Sequence, residues 1–398
     1  MATKAMDLKS LRQAQERLKE QSFNTEPVYD ESTTGSPITD SFFGINNDMS
    51  PLAVPINKTH YGYVFFTRPQ LNLQTENLKN VRIFMPLLTN EPMSVHRAVR
   101  TYLDPRLQRY VNIVDVEGNR MGVECPLVDP FNPFISIMTN HITNLSGFPS
   151  KVLPVYTSPE GQFKESYHMV DGIADHNGTY TLSATFRNSK SAPIFRLIDY
   201  WTWYISHVAG TGNIVPYVDI LRGGLIDYNT RIYHITLDPS KQYVEDIYCS
   251  GASTPISLPT DQQADYSIEK PYNDANAQFS VMFQSSGAWW NDEIAVYSFN
   301  RIQSAFHPGM RNDATREATM VKVPPAKIAS FRCRCYPRID PVTREMEWWV
   351  TKEYFQDIEA RTGSVINDLM NYSTGEQPQE QPQQIQTFEQ PLPSGLTA

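Results

Sequence analysis

The chain has 398 residues, 40% of them hydrophobic and 12% aromatic, and a formal net charge of −9. That is ample apolar material for a packed core and allows two or three domains, while an acidic balance with no basic stripe disfavours a nucleic-acid binder. No run of 18 apolar residues is present, so no membrane segment is expected, and Met1-Ala2-Thr3-Lys4-Ala5-Met6-Asp7 lacks the apolar core of a signal peptide.

From the N-terminus, Leu8, Leu11, Ala14 and Leu18 share one face of an amphipathic helix over 5–21, which alone in water is marginal. Residues 22–50, with Ser32-Thr33-Thr34-Gly35-Ser36-Pro37, read as an extended arm. Order begins with the aromatic strand Tyr61 to Phe66. A second strand is expected over Val81 to Met85, a helix over Ser94 to Tyr102, and a hairpin pairing Val111–Val116 with Met121–Cys125. Asp129 and Pro130 carry helix-start chemistry, with Phe134, Ile135, Met138, Ile142 and Leu145 as the apolar face and Gly147 as the stop.

The organising stretch is Thr181 to Phe283. Thr181 to Asn188 alternates as a strand. Ile194, Leu197, Ile198, Trp201, Ile205 and Val208 then recur at helical spacing from Pro193 to Ala209, with Ser191 as cap and Gly210 as stop. Strands follow at Arg231–Leu237, Tyr243–Cys249 and Ala277–Phe283, with Phe279 and Phe283 read as core. Further on, Lys327–Tyr336 and Glu345–Thr351 read as strands joined by a turn at Asp340–Arg344, and a helix runs from Lys352 to Met370. From Thr374 the Gln- and Pro-rich sequence cannot bury enough apolar area to order itself, so 374–398 is expected to be a disordered tail.

Catalytic and metal patterns are scarce. There is no GxxxxGK[ST], HExxH, GxSxG or GxGxxG. His168, Asp171, Asp175 and His176 fall within nine residues, but their spacing matches neither a helical His pair nor a calcium loop. Cys333 and Cys335 can point the same way from a strand, yet zinc sites use two such pairs. Glu345 and Glu347 share a strand face and could form a glycosidase-like carboxylate pair, although most such pairs are solvated. His207, His234 and Asp199 have no Ser or Cys in a nucleophile-elbow setting. No metal, no cofactor and no catalytic residue is expected. The aromatic residues Trp203 and Tyr204 on the central helix, and the pair Trp289 and Trp290, are the candidates for contacts between subunits.

Several segments taken in order carry a family resemblance. Thr185-Phe186-Arg187-Asn188 precedes the aromatic helix. Tyr233-His234-Ile235-Thr236-Leu237-Asp238 leads to Ile247-Tyr248-Cys249-Ser250-Gly251-Ala252, then Pro255-Ile256-Ser257-Leu258 and the strand Gln278 to Phe283. This quarter of the chain resembles the tail-tube family of long-tailed bacteriophages and related contractile injection machines. The resemblance implies an α+β fold with a β-rich central barrel or sandwich, a packed helix and added segments at both ends. It divides the chain into a helix and arm (1–50), a β-rich N-terminal part (51–175), a tube-like core (176–290), C-terminal strands and helix (291–373) and the tail (374–398). It also implies a virion tail protein without catalysis, assembled in the host cytoplasm into a homo-oligomeric ring or tube. Tube proteins are typically shorter, so a tube-initiating, baseplate or neck component is the form expected, with other phage tail or baseplate proteins as partners and passive contact with passing DNA. A virion-borne cell-wall or capsule hydrolase and a host-binding adhesin are the alternatives, disfavoured by the missing catalytic motifs and the absence of fibrous repeats.

Overall fold

A computed structural model describes residues 61–362 except 80, 110, 112–121, 173–177, 262–276 and 332–333. The expected N-terminal helix and arm, residues 112–121 of the expected 111–125 hairpin, the pair Asp175 and His176, Cys333 and the Gln/Pro tail lie outside the described residues.

The first strand, β1 (Tyr61–Phe66), alternates across the sheet: Phe66 joins one apolar core and Phe65 the other. After it comes a 3-10 helix over Arg82–Leu88, where a strand was expected. The buried positions Val81, Phe84 and Leu87 are three apart, which suits three residues per turn and not the two-residue period of a strand. Helix α1 (Val95–Leu103) starts as read, with Ser94 Oγ accepting from Arg97 N at 3.2 Å.

The helix expected from Asp129 is shorter. Asp129 Oδ1 accepts from Phe131 N at 2.9 Å and Asn132 Oδ1 from Phe134 N at 3.0 Å, so both side chains close local turns. Asn132 precedes Pro133, which disfavours helical backbone there. Helix α2 is only Ser136–His141, and the chain passes straight into β2 (Ile142–Ser146), where pairing with a neighbouring strand overrides the helical pattern. A ribbon follows, β3 (Val155–Thr157) and β4 (His168–Val170), and then β5 (Thr179–Arg187).

Helix α3 (Pro193–Ser206) is the expected central helix. Its cap is Ala192 in the left-handed region and no side chain caps it. Ser191 instead offers its carbonyl oxygen to Arg196 Nε at 3.0 Å. The helix widens into a π turn over His207–Thr211 and stops at Gly212, whose φ of 64° closes it two residues beyond Gly210. A short helix α4 (Val218–Arg222) leads to β6 (Ile232–Leu237), β7 (Val244–Pro255) and β8 (Gln278–Trp290), the last two running on well past their alternating segments.

These strands form one antiparallel six-stranded sheet in the order β1-β6-β7-β8-β5-β2. Its two ends are drawn together by the segment before α2: Phe66 O accepts from Ile135 N at 2.8 Å, and Thr67 bridges Phe134. The result is a nearly closed, barrel-like sheet in an α+β protein. On one face Phe186, Phe279, Val281 and Phe283 pack with Leu197, Ile198, Trp201 and Tyr204 of α3. On the other, Tyr233, Ile235, Ile247 and Cys249 pack with helix α5 (Glu293–Phe306), which Asp292 caps.

Beyond α5 come α6 (Asp313–Thr319), β9 (Met320–Lys322), β10 (Tyr336–Ile339) and β11 (Met346–Thr351), the last three in a small sheet ordered β10-β11-β9. The strand expected from Lys327 is a 3-10 helix over Pro325–Phe331. Its start is fixed by Pro324-Pro325, and Phe331 is buried flat against Phe355 at 5.1 Å. The Asp340–Arg344 turn forms as read, Arg344 N donating to Asp340 O at 3.0 Å, and a helix occupies 352–362.

Candidate assembly interface

The feature that stands out from the body is the ribbon of β3 and β4. Every residue from 150 to 172 is exposed except Ser158, which is half-buried. The ribbon is internally well made. Val155 pairs with Val170 and Thr157 with His168, and Ser158 N donates to Tyr167 O at 2.8 Å. Its tip closes through Gly161 N to Glu165 O at 2.8 Å and Phe163 N to Glu165 Oε2 at 2.7 Å. It carries Val155, Tyr156, Phe163, Tyr167, Met169 and Val170, all facing solvent, with Phe163 87% exposed. A two-stranded ribbon of this kind is marginal alone, and so dense an apolar surface marks a contact site. The ribbon leaves β2 through Gly147, whose φ of 105° and approach to Thr181 admit no side chain.

A second apolar area surrounds α4, where Val215, Val218, Leu221, Leu225 and Ile226 are exposed. It is anchored from behind by Arg106, which meets Asp219 bidentately at 2.8 and 2.9 Å. A third area lies across β6, β7 and β8, where the rings of His234, Tyr248 and Trp290 stack in a row with centroids 5.5 and 6.1 Å apart.

The four aromatic candidates part ways. Trp203 is 41% exposed, with His207 as its ring neighbour. Trp290 is 52% exposed and lies on Tyr248. Trp289 is half-buried, with the Arg231 guanidinium 5.5 Å over its ring. Tyr204 is not a surface residue. It is fully buried, donates its hydroxyl to the Asp227 carboxylate and accepts from Asn72 N at 3.1 Å. Three residues beyond Trp201 and seven beyond Leu197, it faces the core with them.

The chemical candidates resolve into structure. Glu345 and Glu347 both take Lys322 Nζ, at 2.6 and 3.2 Å, and Glu347 also takes Arg338 at 2.7 Å. Burial pushes the Glu347 carboxyl up, but Trp349, Arg338 and Lys322 outweigh it and hold the group below the usual carboxylate range. His234 is committed to its ring stack, with burial lowering its pKa. Among the described residues no group of His, Cys, Asp and Glu is placed to hold a metal ion, and no helix is long and apolar enough to cross a membrane.

A family model described as "Putative phage tail tube protein" matches residues 21–365. The chain belongs to the phage tail tube family. The match takes in most of the chain, so most of the segments on both sides of the core, expected as additions, lie within the family's own extent. It makes this a structural protein of the phage tail. One solved structure, "Cryo-EM structure of the anti-feeding prophage cap (AFP tube terminating cap)", is similar at 9% identity over 38% of this chain and 79% of that one, with a TM-score of 0.23. At that level neither a shared fold nor a shared role follows. No curated protein matches the chain. The projecting ribbon of this tail tube protein was not legible from sequence, because its apolar residues never enter a core and show no buried periodicity. The signal available was local: Pro154-Val155-Tyr156-Thr157 and Tyr167-His168-Met169-Val170 flank Pro159-Glu160-Gly161, a turn between two β-prone runs.

Proposed function

We propose that the chain is a ring-forming subunit of the tail tube, that it performs no catalysis, and that rings join through the β3–β4 ribbon. The observation that carries this reading is the ribbon itself: a continuous exposed stretch over 150–172 with six outward apolar side chains, which gains stability only when another surface covers it. Sheet edges support the ring. β1 and β2 lie at the ends of the six-stranded order, and β2 has a single strand neighbour, so its outer edge offers backbone groups to a second copy. Whether the ring belongs to the tube shaft, to its initiating end or to a baseplate or neck is a finer assignment, and the exposed apolar area around α4 supports a position that docks other tail proteins. Residence in the virion and assembly in the host cytoplasm follow from this role.

The test is electron microscopy of the purified chain together with its mass in solution, repeated for Phe163→Asp/Met169→Asp. Rings or short tubes for the natural chain, and single rings or monomers with unchanged circular dichroism for the variant, are the expected results. Tubes that persist in the variant would remove the ribbon from the contact, and a homogeneous monomer that cleaves peptidoglycan would overturn the structural role.

A further inference from the structure

Where the ribbon leaves the body, Phe148, Pro149 and Lys151 face Tyr248, Trp289 and Trp290 across a cleft of about 210 Å³. Phe148 lies 5.6 Å from the Tyr248 ring and Tyr248 stacks on Trp290. Lys151 Nζ stands 5.7 Å over the Trp290 ring and has no carboxylate partner among the described residues. The cleft is too small for a cofactor-sized ligand, which takes roughly 300 Å³ or more. Its shape and chemistry suit a narrow, rigid chain: flat aromatic walls that accept proline rings, and one cation beside them for an acidic residue.

The chain carries such a segment. Between Thr374 and Ala398 there are Glu376, Glu380 and Glu389 and neither Lys nor Arg, and Phe388-Glu389-Gln390-Pro391-Leu392-Pro393 sets one of these acids beside a Pro-x-Pro. Reach does not limit the contact. From residue 362 to Pro391 an extended chain spans roughly 95 Å at ~3.3 Å per residue, whereas a body of this size has a radius of gyration of roughly 20 Å.

We infer that the C-terminal segment Phe388–Pro393 of the same chain docks in this cleft, its prolines on Trp290 and Tyr248 and Glu389 against Lys151. Tethering favours the chain's own segment over that of a second copy. An attached segment acts at an effective concentration of about 1 mM, so an intrinsic affinity of only ~0.1 mM fills the cleft about ten to one. The inference does not rest on ring or tube formation. It gives Trp290, an exposed aromatic on the sheet, a partner within the free subunit.

The experiment is limited digestion of the full chain with a glutamyl endopeptidase, at a concentration where solution mass shows a monomer, with cleavage after Glu389 compared with cleavage after Glu376 and Glu380. Cleavage after Glu389 is expected to be about tenfold slower than after the other two. That protection should disappear in Pro391→Ala/Pro393→Ala, which leaves the body untouched, and in Trp290→Ala, and should weaken in Lys151→Glu. Equal cleavage at the three sites in the natural chain, or protection that survives both the proline and the tryptophan substitutions, would overturn the inference. Protection that rises with protein concentration would overturn it as well, because the occupant would then be a second copy.

Discussion

Tyr204→Phe separates a core residue from an interface residue by a single oxygen atom. The hydroxyl satisfies the buried Asp227 carboxylate and the half-buried Asn72 N–H, and Phe can satisfy neither. Leaving a buried hydrogen-bonding group without a partner costs about 1–3 kcal/mol, and the carboxylate lies at the upper end of that range. Little volume changes, so the expected loss is about 3–4 kcal/mol. Denaturant unfolding of the body, followed by tryptophan fluorescence, measures it. Trp203→Ala, one position away and exposed, should stay within about 0.5 kcal/mol of the natural chain. A double-mutant cycle with Asp227→Asn should return a coupling of about 1.5 kcal/mol or more, because the two residues share one hydrogen bond. If Tyr204→Phe unfolds within about 0.5 kcal/mol of the natural chain while disturbing assembly, the buried placement is wrong and Tyr204 belongs to a subunit contact.

Two further outcomes bear on the body. Asp104 is buried, and burial pushes its carboxyl up to about 6 despite hydrogen bonds from Tyr217 at 2.7 Å, Leu73 N at 2.9 Å and Arg106 N at 3.1 Å and the nearby Arg100 charge. The folded form holds this proton more tightly than the unfolded form, so its contribution is full below the unfolded value of 3.8 and is lost as pH rises through about 6. The natural chain should therefore gain about 2–3 kcal/mol relative to Asp104→Asn between pH 7 and pH 4, measured by denaturant unfolding at each pH, and a difference independent of pH would contradict the assignment. Gly147→Ala places a side chain at positive φ, 2.2 Å from Thr181 O, at the root of the ribbon. It should cost about 2 kcal/mol or more in the same assay, and a change under about 0.5 kcal/mol would show that the turn yields without strain.

Those elements whose periodicity coincided with their burial were readable from the residues alone. β5 alternates Leu182, Ala184 and Phe186 into the core, and α3 turns Leu197, Ile198 and Trp201 onto the sheet, so pattern and packing agree. Structure departs from pattern where a second influence overrides it. At 142–146 pairing with β5 takes residues that also fit helical spacing, and at 82–88 the three-residue period of a 3-10 helix runs through a short apolar segment that also suits a strand. Of the site, Trp203 and Trp290 are on the surface as read. Tyr204 is not, although its spacing from Leu197 and Trp201 already put it on the buried side. The ribbon escaped notice because its apolar residues serve an outside contact and leave no inward pattern.

The pairing of β1 with β6 also has a consequence in time. Phe66 lies opposite Ile232, so a strand made early waits for a partner far along the chain. At about 5–20 residues per second, translation of the intervening length takes roughly 10–30 s. During that interval Tyr61-Gly62-Tyr63-Val64-Phe65-Phe66 has neither its sheet neighbour nor α5 to cover its aromatic side. Such a segment, uncharged and rich in β-formers, is the part of a nascent chain most prone to pair with its counterpart on another ribosome. Slowing synthesis lengthens the exposure, while lowering the number of chains made at once reduces the encounters. The yield of soluble subunit should thus depend on expression density, because β1 waits without its partner until β6 has been made.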